Sequence, residues 1–293
     1  MLLRLFNPSH DECLSSGSPY FTPSLTAQAM DRVRLPHWHG LEDALPAWDD
    51  VERIEPWGWD ARLVHLLRRR GCPERLLPSA EQLAAIRRLS SRETAVRLLP
   101  TVTERFESWW VSADQGLAAA TALAEEREGR VLYKSPWSCS GRGVFAYNAK
   151  RISKVMRQMG GIEVEPLYPR VADFAMEFRC SGGEVVFAGL AAMLNGGPSE
   201  RGVAYGGNLV ADDAEILALM TRYVPEKEVM EARDRLLDVL RREVAPFYDG
   251  PLGVDQMIVG PPYALHPMVE INLRHTMGLV AIERREAPLH LPL

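Results

Sequence analysis

The chain has 293 residues, of which 46% are hydrophobic and 25% are charged, and its formal net charge is −5. This composition is typical of a globular protein with enough apolar residues for one large or several small domains. The acidic balance argues against nonspecific nucleic-acid binding, which needs a basic surface. No stretch approaches about 18 uncharged apolar residues, so no membrane span is expected.

Cysteine usage and the N-terminal residues bear on the cellular compartment. Four cysteines are present, and no two of them form a CxxC pair. The simplest interpretation is free thiols in a reducing compartment. The opening apolar run is too short for the hydrophobic part of a secretory signal. We therefore expect a cytoplasmic protein.

The first 88 residues favour a small α/β unit. Residues 2–6 are typical of a buried strand, and a cluster of turn-forming residues at 7–11 follows it. Amphipathic helices are predicted at residues 59–70 and after the capping-box pair Ser79 and Gln82. Ligand groups in α/β proteins lie at the carboxyl ends of strands. Asn7 and Asp11 follow such a strand, but they can equally serve only to close the turn.

The next forty residues are predicted to contain two helices with a strand between them. A helix at residues 91–99 is expected to end at Pro100, and residues 101–111 have a β-like pattern. An alanine-rich helix is predicted from Ser112 to about residue 128. Trp109 and Trp110 either belong to a core or mark an interface, so a homodimer is one option.

A strand, a loop and a second strand follow at residues 130–147. The first strand ends in Lys134, and the loop at residues 135–143 consists largely of serine and glycine. Glycines let backbone amides approach an anion, and Lys134 and Arg142 add positive charge. The segment is not a P-loop, because GxxxxGK[ST] is absent and no helix follows directly. Taken alone, the pattern also fits an ordinary β-hairpin.

Residues 148–244 alternate between helices and strands. Helices are predicted at residues 148–159, after Asp212 and Asp213, and at residues 226–244. Strands are predicted at residues 162–167, 171–180, 184–194 and 202–210, and a Ser-Gly-Gly turn joins the second to the third.

The most informative stretch is a hairpin at residues 253–274, followed by a short helix at residues 276–285. Asp255 lies in one apolar run, and Glu270, Asn272 and Arg274 lie two residues apart in the next. Side chains alternate along a strand, so these three point the same way, and a Gly-Pro-Pro turn returns the chain beside Asp255. Such a set suits Mg²⁺, although a solvated sheet face has the same pattern. The apolar flanks favour the metal site, because buried carboxylates need compensation.

The order of elements from residue 130, together with two motifs, resembles the ATP-grasp superfamily over residues 89–282. The motifs are VEINLR at residues 269–274 and VLYKSPWSCSGRGV at residues 131–144. The resemblance implies an α+β fold in which two α+β subdomains grip the nucleotide after a small α/β domain. We expect that first domain at residues 1–88 and the ATP-grasp domain at residues 89–293. Within the latter, a small lid would span about 130–166 and a larger subdomain about 167–293.

The resemblance also implies roles for individual residues. Lys134 would hold the α- and β-phosphates, the loop would close over the β- and γ-phosphates, and the backbone at residues 165–167 would meet the adenine edge. Asp173 would bind the ribose, with Glu177 as a rival. Arg274 would act with Lys134 on the transferred phosphoryl group or the substrate. The implied nucleotide-binding residues are Arg92, Lys134, Ser138, Ser140, Gly141, Arg142, Gly143, Glu165, Leu167 and Asp173, and the implied Mg²⁺ or Mn²⁺ ligands are Asp255, Glu270 and Asn272.

Two departures from the family pattern are visible. Arg92 stands where the family has an earlier phosphate-contacting lysine, which keeps the charge and changes the geometry. Gly253 stands where D-alanine ligases have an arginine, so their substrate contacts do not carry over. The resemblance implies an ATP- and Mg²⁺-dependent carboxylate-amine ligase that forms an acyl phosphate on a small-molecule or peptide substrate. A kinase on the same scaffold and a nucleotide-binding module without turnover are the alternatives.

Overall fold

The computed structural model describes residues 1–33, 35–138, 141–199 and 202–286, and this part of the chain contains three β-sheets. The combination of helices and sheets confirms the α+β class. Ser140, one of the predicted phosphate-binding residues, lies outside the described residues. Cys13, Cys72 and Cys180 are buried free thiols.

The first sheet is parallel and has β1 in its centre. Its strands are β1 (Leu2–Phe6), β2 (His39–Gly40) and β3 (Arg53–Pro56), and its helices are α1 (His10–Ser16), α2 (Leu25–Asp31) and α3 (Ala61–Arg69). Parallel strands end at one edge of a sheet, so the segments after β1 and β3 are neighbours. There the Asn7 side-chain amide donates to the carbonyl of Gly58 over 2.8 Å. Helix α1 begins at His10, so the prediction of a turn through residue 11 was wrong.

Two helices connect the first sheet to the rest of the chain. Helix α4 (Ala80–Leu89) begins with the predicted capping box, in which Ser79 and Gln82 bond reciprocally. Helix α5 (Arg92–Val102) runs through Pro100, so the predicted end before Pro100 was wrong. A proline in the last turn removes only one intrahelical hydrogen bond, and the buried Leu98 and Leu99 anchor that turn in the core.

The second sheet has the strand order β4-β7-β5-β6 and is antiparallel. It contains β4 (Trp109–Ser112), β5 (Val131–Lys134), β6 (Val144–Phe145) and β7 (Gly161–Pro166), with α6 (Gly116–Glu126) and α7 (Ala149–Met159). Both tryptophans of β4 have partners inside this unit. The Arg127 guanidinium lies 4.9 Å from the Trp109 ring centre, and Trp110 covers Gly161. The homodimer stays a prediction.

The third sheet is the largest, and its order is β10-β9-β8-β11-β12. Its strands are β8 (Arg170–Ser181), β9 (Glu184–Ser199), β10 (Gly202–Asn208), β11 (Gly250–Val259) and β12 (Ala264–Asn272), and its helices are α8 (Asp213–Met220), α9 (Glu226–Glu243) and α10 (Met277–Glu286). The main core joins this sheet to α5, α8 and α9. None of the described helices is both long and apolar enough to cross a membrane.

A group of ion pairs ties the first sheet to the third. Arg4 and Arg179 each contact both Glu55 and Glu283, over 3.1 to 3.5 Å. Glu55 is only 5% exposed, whereas the other three side chains are partly exposed, so salt screens the contacts of Glu283 more than those of Glu55. The contacts join β1 and β3 to β8 and α10.

The packing supports a division of the chain that we propose along the predicted lines, with residues 1–88 preceding an ATP-grasp domain at residues 89–293. Helix α5 packs on β12 and α9, which places it with the third sheet rather than the first. The second sheet includes β4, which precedes residue 130, the predicted start of the small subdomain. We therefore propose that this subdomain includes β4.

Candidate functional site

The hairpin of β11 and β12 brings the three predicted metal ligands onto one sheet face. Asp255 lies directly opposite Glu270, and Gly253 lies opposite Asn272. Residues paired across an antiparallel ladder point to the same face, and so do residues two apart on one strand. The sequence pattern therefore predicted this convergence correctly, including the turn after Val259.

Two carboxylates on this face are held close together. Withdrawal from water, followed by the neighbouring Glu270 carboxylate, raises the pKa of Asp255 to about 7. Withdrawal from water also raises the pKa of Glu270, and Arg92 opposes this rise. Such a pair is relieved by a cation.

The donor set fits Mg²⁺. It consists of the Asp255 and Glu270 carboxylates and the Asn272 amide, and Mg²⁺ prefers one or two carboxylates completed by water and phosphate oxygens. Within the described residues, no three His, Cys, Asp or Glu side chains are grouped to hold a metal on their own.

Lys134 lies at the end of β5 between two buried glutamates of β7. Its Nζ is 2.8 Å from Glu165 Oε1 and 3.5 Å from Glu163 Oε1. Burial disfavours the charge, but the two carboxylates raise the pKa of Lys134 above its ordinary value. The Glu165 side chain thus contacts Lys134. The Leu167 N–H donates to the carbonyl of Arg130 over 2.9 Å. That the backbone at residues 165–167 meets the adenine edge stays a prediction.

Arg92 connects the second sheet to the third. Its Nη2 is 2.6 Å from Glu270 Oε2, and its Nε is 3.7 Å from Glu163 Oε2. Its Nη1 donates to the carbonyl of Ser135 and to Ser138 Oγ. Burial opposes its charge, but the Glu270 and Glu163 carboxylates raise the pKa of Arg92. A continuous ion-pair chain therefore runs from Lys134 to Glu270.

The serine- and glycine-rich loop lies over this chain. Ser138 is held by Arg92, and a side chain at Gly143 would collide with Ser138. Gly141 has φ +71°, a left-handed conformation that favours glycine. Arg142 reaches Glu12 of α1 over 3.7 Å, so the loop also meets the first unit.

Asp173, the predicted ribose ligand, lies on the same face of the third sheet as Asp255. It lies on β8 opposite Met257 of β11, two pairs along from Asp255. Arg170 Nη2 is 2.6 Å from its Oδ2. Burial raises the pKa of Asp173, and Arg170 opposes this rise. Its role stays a prediction.

Glu177, the rival of Asp173, occupies the space above Gly253. Its side chain shares the Asp255 face, is 1% exposed, and accepts a hydrogen bond from Thr276 Oγ1 over 2.8 Å. A Cβ at Gly253 would lie 2.6 Å from Glu177 Oε2. Burial raises the pKa of Glu177 to about 8. The glycine that departs from the D-alanine ligase pattern is thus required by this carboxyl.

Arg274 lies just beyond β12, beside a cleft. Its Nη2 donates to Asn272 Oδ1 over 2.9 Å, and its Nε lies 3.2 Å from Asp11 Oδ1 of α1. The cleft encloses about 240 Å³ including its open mouth. It is lined by His10, Asp11, Leu14, Ser90, Trp137, Ser138, Glu270, Ile271, Asn272, Leu273 and Arg274.

Sequence reasoning missed three residues of this region. Glu163 was detectable, because it lies two residues before Glu165 on the same strand face. His10 gave no signal beyond its place after β1, next to Asp11, which the strand-end argument had already included. His266 is fully buried with its ring 4.4 Å from that of Phe106, and burial, followed by the Lys134 charge, lowers the pKa of His266 to about 3.

These features define the class to which the chain belongs: it has the ATP-grasp fold. No family model and no curated sequence matches the chain. The similarity is instead found among solved structures, and those described below share only 11–14% sequence identity with the chain, so they establish the fold alone.

Three of these structures illustrate the similarity. D-alanyl-alanine synthetase A from Vibrio cholerae superposes with a TM-score of 0.55 at 11% identity, over 99% of this chain and 95% of that one. D-cycloserine synthetase superposes with a TM-score of 0.53 at 14% sequence identity, over 96% of this chain and 94% of that one. N5-carboxyaminoimidazole synthetase from Staphylococcus aureus, complexed with ADP, superposes with a TM-score of 0.54 at 14% sequence identity, over 96% of this chain and 73% of that one.

Proposed function

We propose that this protein is an ATP- and Mg²⁺-dependent ligase that activates a carboxylate as an acyl phosphate and joins it to an amine. The observation that carries the proposal is the convergence of Lys134 and Arg92 on the face that bears Asp255, Glu270 and Asn272. The similar structures are named as synthetases, and one of them holds ADP. Both facts support this class of reaction.

The metal would be held by Asp255, Glu270 and Asn272. When bound, Mg²⁺ or Mn²⁺ supplies charge neutralisation for phosphate oxygens and polarises the phosphoryl group. The protein's own contribution is to position the three ligands on one rigid hairpin. The raised pKa values of Asp255 and Glu270 support a face that favours a gain of positive charge.

Two buried cations, Lys134 and Arg92, would neutralise the phosphates. Lys134 is fixed by two carboxylates, and Arg92 is fixed by the loop and by Glu270, so both charges are in place before the reaction begins. Fixed charges in a buried site cost little reorganisation as negative charge moves onto the leaving oxygen. Arg274 stands at the open end, where it would meet the carboxylate or the transferred phosphoryl group.

The acceptor would bind in the cleft between α1 and the end of β12. The cleft is lined by residues of both α1 and β12, so an acceptor bound there would lie beside Glu270 and Asn272. Its lining carries both a carboxylate, Asp11, and a guanidinium, Arg274. We infer a polar acceptor, either a small molecule or the end of a peptide.

The test is ATP turnover with a panel of amino acids as carboxylates and hydroxylamine as the nucleophile. Wild type should release ADP and free phosphate and form a hydroxamate, and Glu270→Gln should lose at least about 100-fold of that rate. The matched control is Glu184→Gln, an exposed glutamate on β9. Unchanged turnover in Glu270→Gln would refute the metal assignment.

The same assay separates the alternatives. A stable phosphorylated product without free phosphate would identify a kinase. Calorimetric binding of an ATP analogue, with no ADP formed from any mixture, would identify a module without turnover.

A further inference from the structure

The acceptor cleft contains a histidine that the proposed phosphate chemistry does not use. His10 begins α1, is completely buried, and lines the cleft with Asp11 and Arg274. Its Nδ1 lies 3.3 Å from Asp60 Oδ2. Its Nε2 is buried and has no hydrogen-bond partner within the described part of the chain. A buried polar atom without a partner is costly, so this arrangement calls for a functional explanation.

The partner of His10 is held rigidly. Asp60 caps α3 by accepting from the Leu63 N–H over 2.9 Å, and its other oxygen accepts from the Asn7 side-chain amide over 3.2 Å. Gly58 lies against the imidazole, and a side chain there would collide with the ring. The ring therefore has a single position.

The Asp60 carboxylate also decides which nitrogen of the ring carries the proton. A carboxylate beside Nδ1 favours the tautomer with its proton on Nδ1, which leaves a lone pair on Nε2. A base oriented by a carboxylate behind it is a recurring arrangement for proton abstraction. In this protein the free nitrogen belongs to a residue that lines the cleft beside Asn272 and Arg274.

We propose that His10, oriented by Asp60, is the general base that accepts a proton from the amine acceptor. This role rests on the proposed ligase function. An ammonium acceptor loses one proton to Nε2 of His10, and Asp60 stabilises the imidazolium. The amine nitrogen attacks the carbonyl carbon of the acyl phosphate, the C–N bond forms, and the bond from that carbon to the phosphate oxygen breaks. Inorganic phosphate leaves with the electron pair and takes the second proton.

The experiment separates activation of the carboxylate from capture by the amine. Hydroxylamine is a nucleophile that is largely unprotonated at neutral pH, so its capture of an acyl phosphate needs no base. His10→Asn and His10→Gln should keep hydroxamate formation within about threefold of wild type. They should lose about 100-fold or more of amide formation with amino acids as acceptors, since general base catalysis contributes about 10²- to 10⁴-fold. The control is His65→Asn, a histidine of α3 outside the cleft.

Asp60→Asn provides an independent variant if the buried His10 variants do not fold. Asparagine keeps the helix cap and the volume, and it removes the charge behind Nδ1. Asp60→Asn should also keep hydroxamate formation and lose amide formation, and its loss of amide formation should be smaller than that of the His10 variants. Equal losses in both assays, or amide formation unchanged by either substitution, would overturn the role of His10. A wild type that binds ATP and yields neither product would instead refute the ligase proposal, and the role of His10 with it.

Discussion

Glu177→Gln is expected to remove a pH dependence of stability that arises at one buried position, so that the variant is less stable than wild type at low pH and more stable at high pH. Glu177 is 1% exposed, with one oxygen bonded to Thr276 and the other without a hydrogen-bond partner among the described residues. Burial raises its pKa from the ordinary 4.5 to about 8, so the folded protein holds the proton more tightly than the unfolded chain. Its stabilising contribution is complete below pH 4.5 and is lost as the pH rises to about 8.

The size of the effect follows from the pKa. At about 1.4 kcal/mol for each pKa unit, wild type loses roughly 5 kcal/mol of unfolding free energy across this range because of Glu177. Glutamine has the same shape and cannot ionise, but its buried NH₂ lacks an acceptor and costs about 1–3 kcal/mol. Glu177→Gln should therefore be less stable than wild type at pH 5 and more stable by about 2–4 kcal/mol at pH 8.5.

Urea unfolding at pH 5 and pH 8.5 in the presence of EDTA measures this difference. Glu184→Gln, on the neighbouring strand and 75% exposed in its side chain, is the control and should show no such pH dependence. A difference between Glu177→Gln and wild type that stays constant from pH 5 to pH 8.5 would refute the argument, because it would mean that Glu177 is ionised in the folded state at both values.

Three further substitutions test the proposed phosphate contact of Lys134, the packing of Glu177 on Gly253, and the ion pairs between the first and third sheets. Lys134→Met should weaken calorimetric binding of a non-hydrolysable Mg–ATP analogue about 10- to 100-fold, because a charge-assisted contact is worth about 1.5–3 kcal/mol, whereas exposed Lys150→Met should not. Gly253→Ala should lower the urea unfolding free energy by about 2 kcal/mol or more, since its Cβ would meet Glu177 Oε2 at 2.6 Å, and Glu177→Ser should restore part of the loss. If Glu177→Ser does not restore stability to Gly253→Ala, the contact with Glu177 is not the cause of the destabilisation. Glu283→Gln should cost about 1–3 kcal/mol in the same assay by weakening the ion pairs between the first and third sheets, and no change would contradict their contribution.

The sheet face shared by Asp255, Glu270 and Asn272 could largely be predicted from the sequence. Alternation along β12 puts Glu270 and Asn272 on one side, and the turn after Val259 returns the chain in register with Asp255. These are local relations, set by the two-residue period of a strand and by the length of one turn. The reciprocal capping box at Ser79 is local in the same way.

Two features were missed in the sequence analysis for different reasons. The propensity of Pro100 to end a helix was overridden by burial of the preceding turn in the core. Glu163 was overlooked even though its spacing from Glu165 places both beside Lys134.

The sequence by itself determined which side chains share a strand face, where most helices begin, and the order of elements that resembles the ATP-grasp superfamily. Only the tertiary structure decided that Arg92 reaches Glu270, that Glu177 fills the space above Gly253, and that His10 meets Asp60. The physical reason is that these contacts join residues 50 or more positions apart. Their partners are chosen by the packing of whole sheets and helices, which no local periodicity encodes.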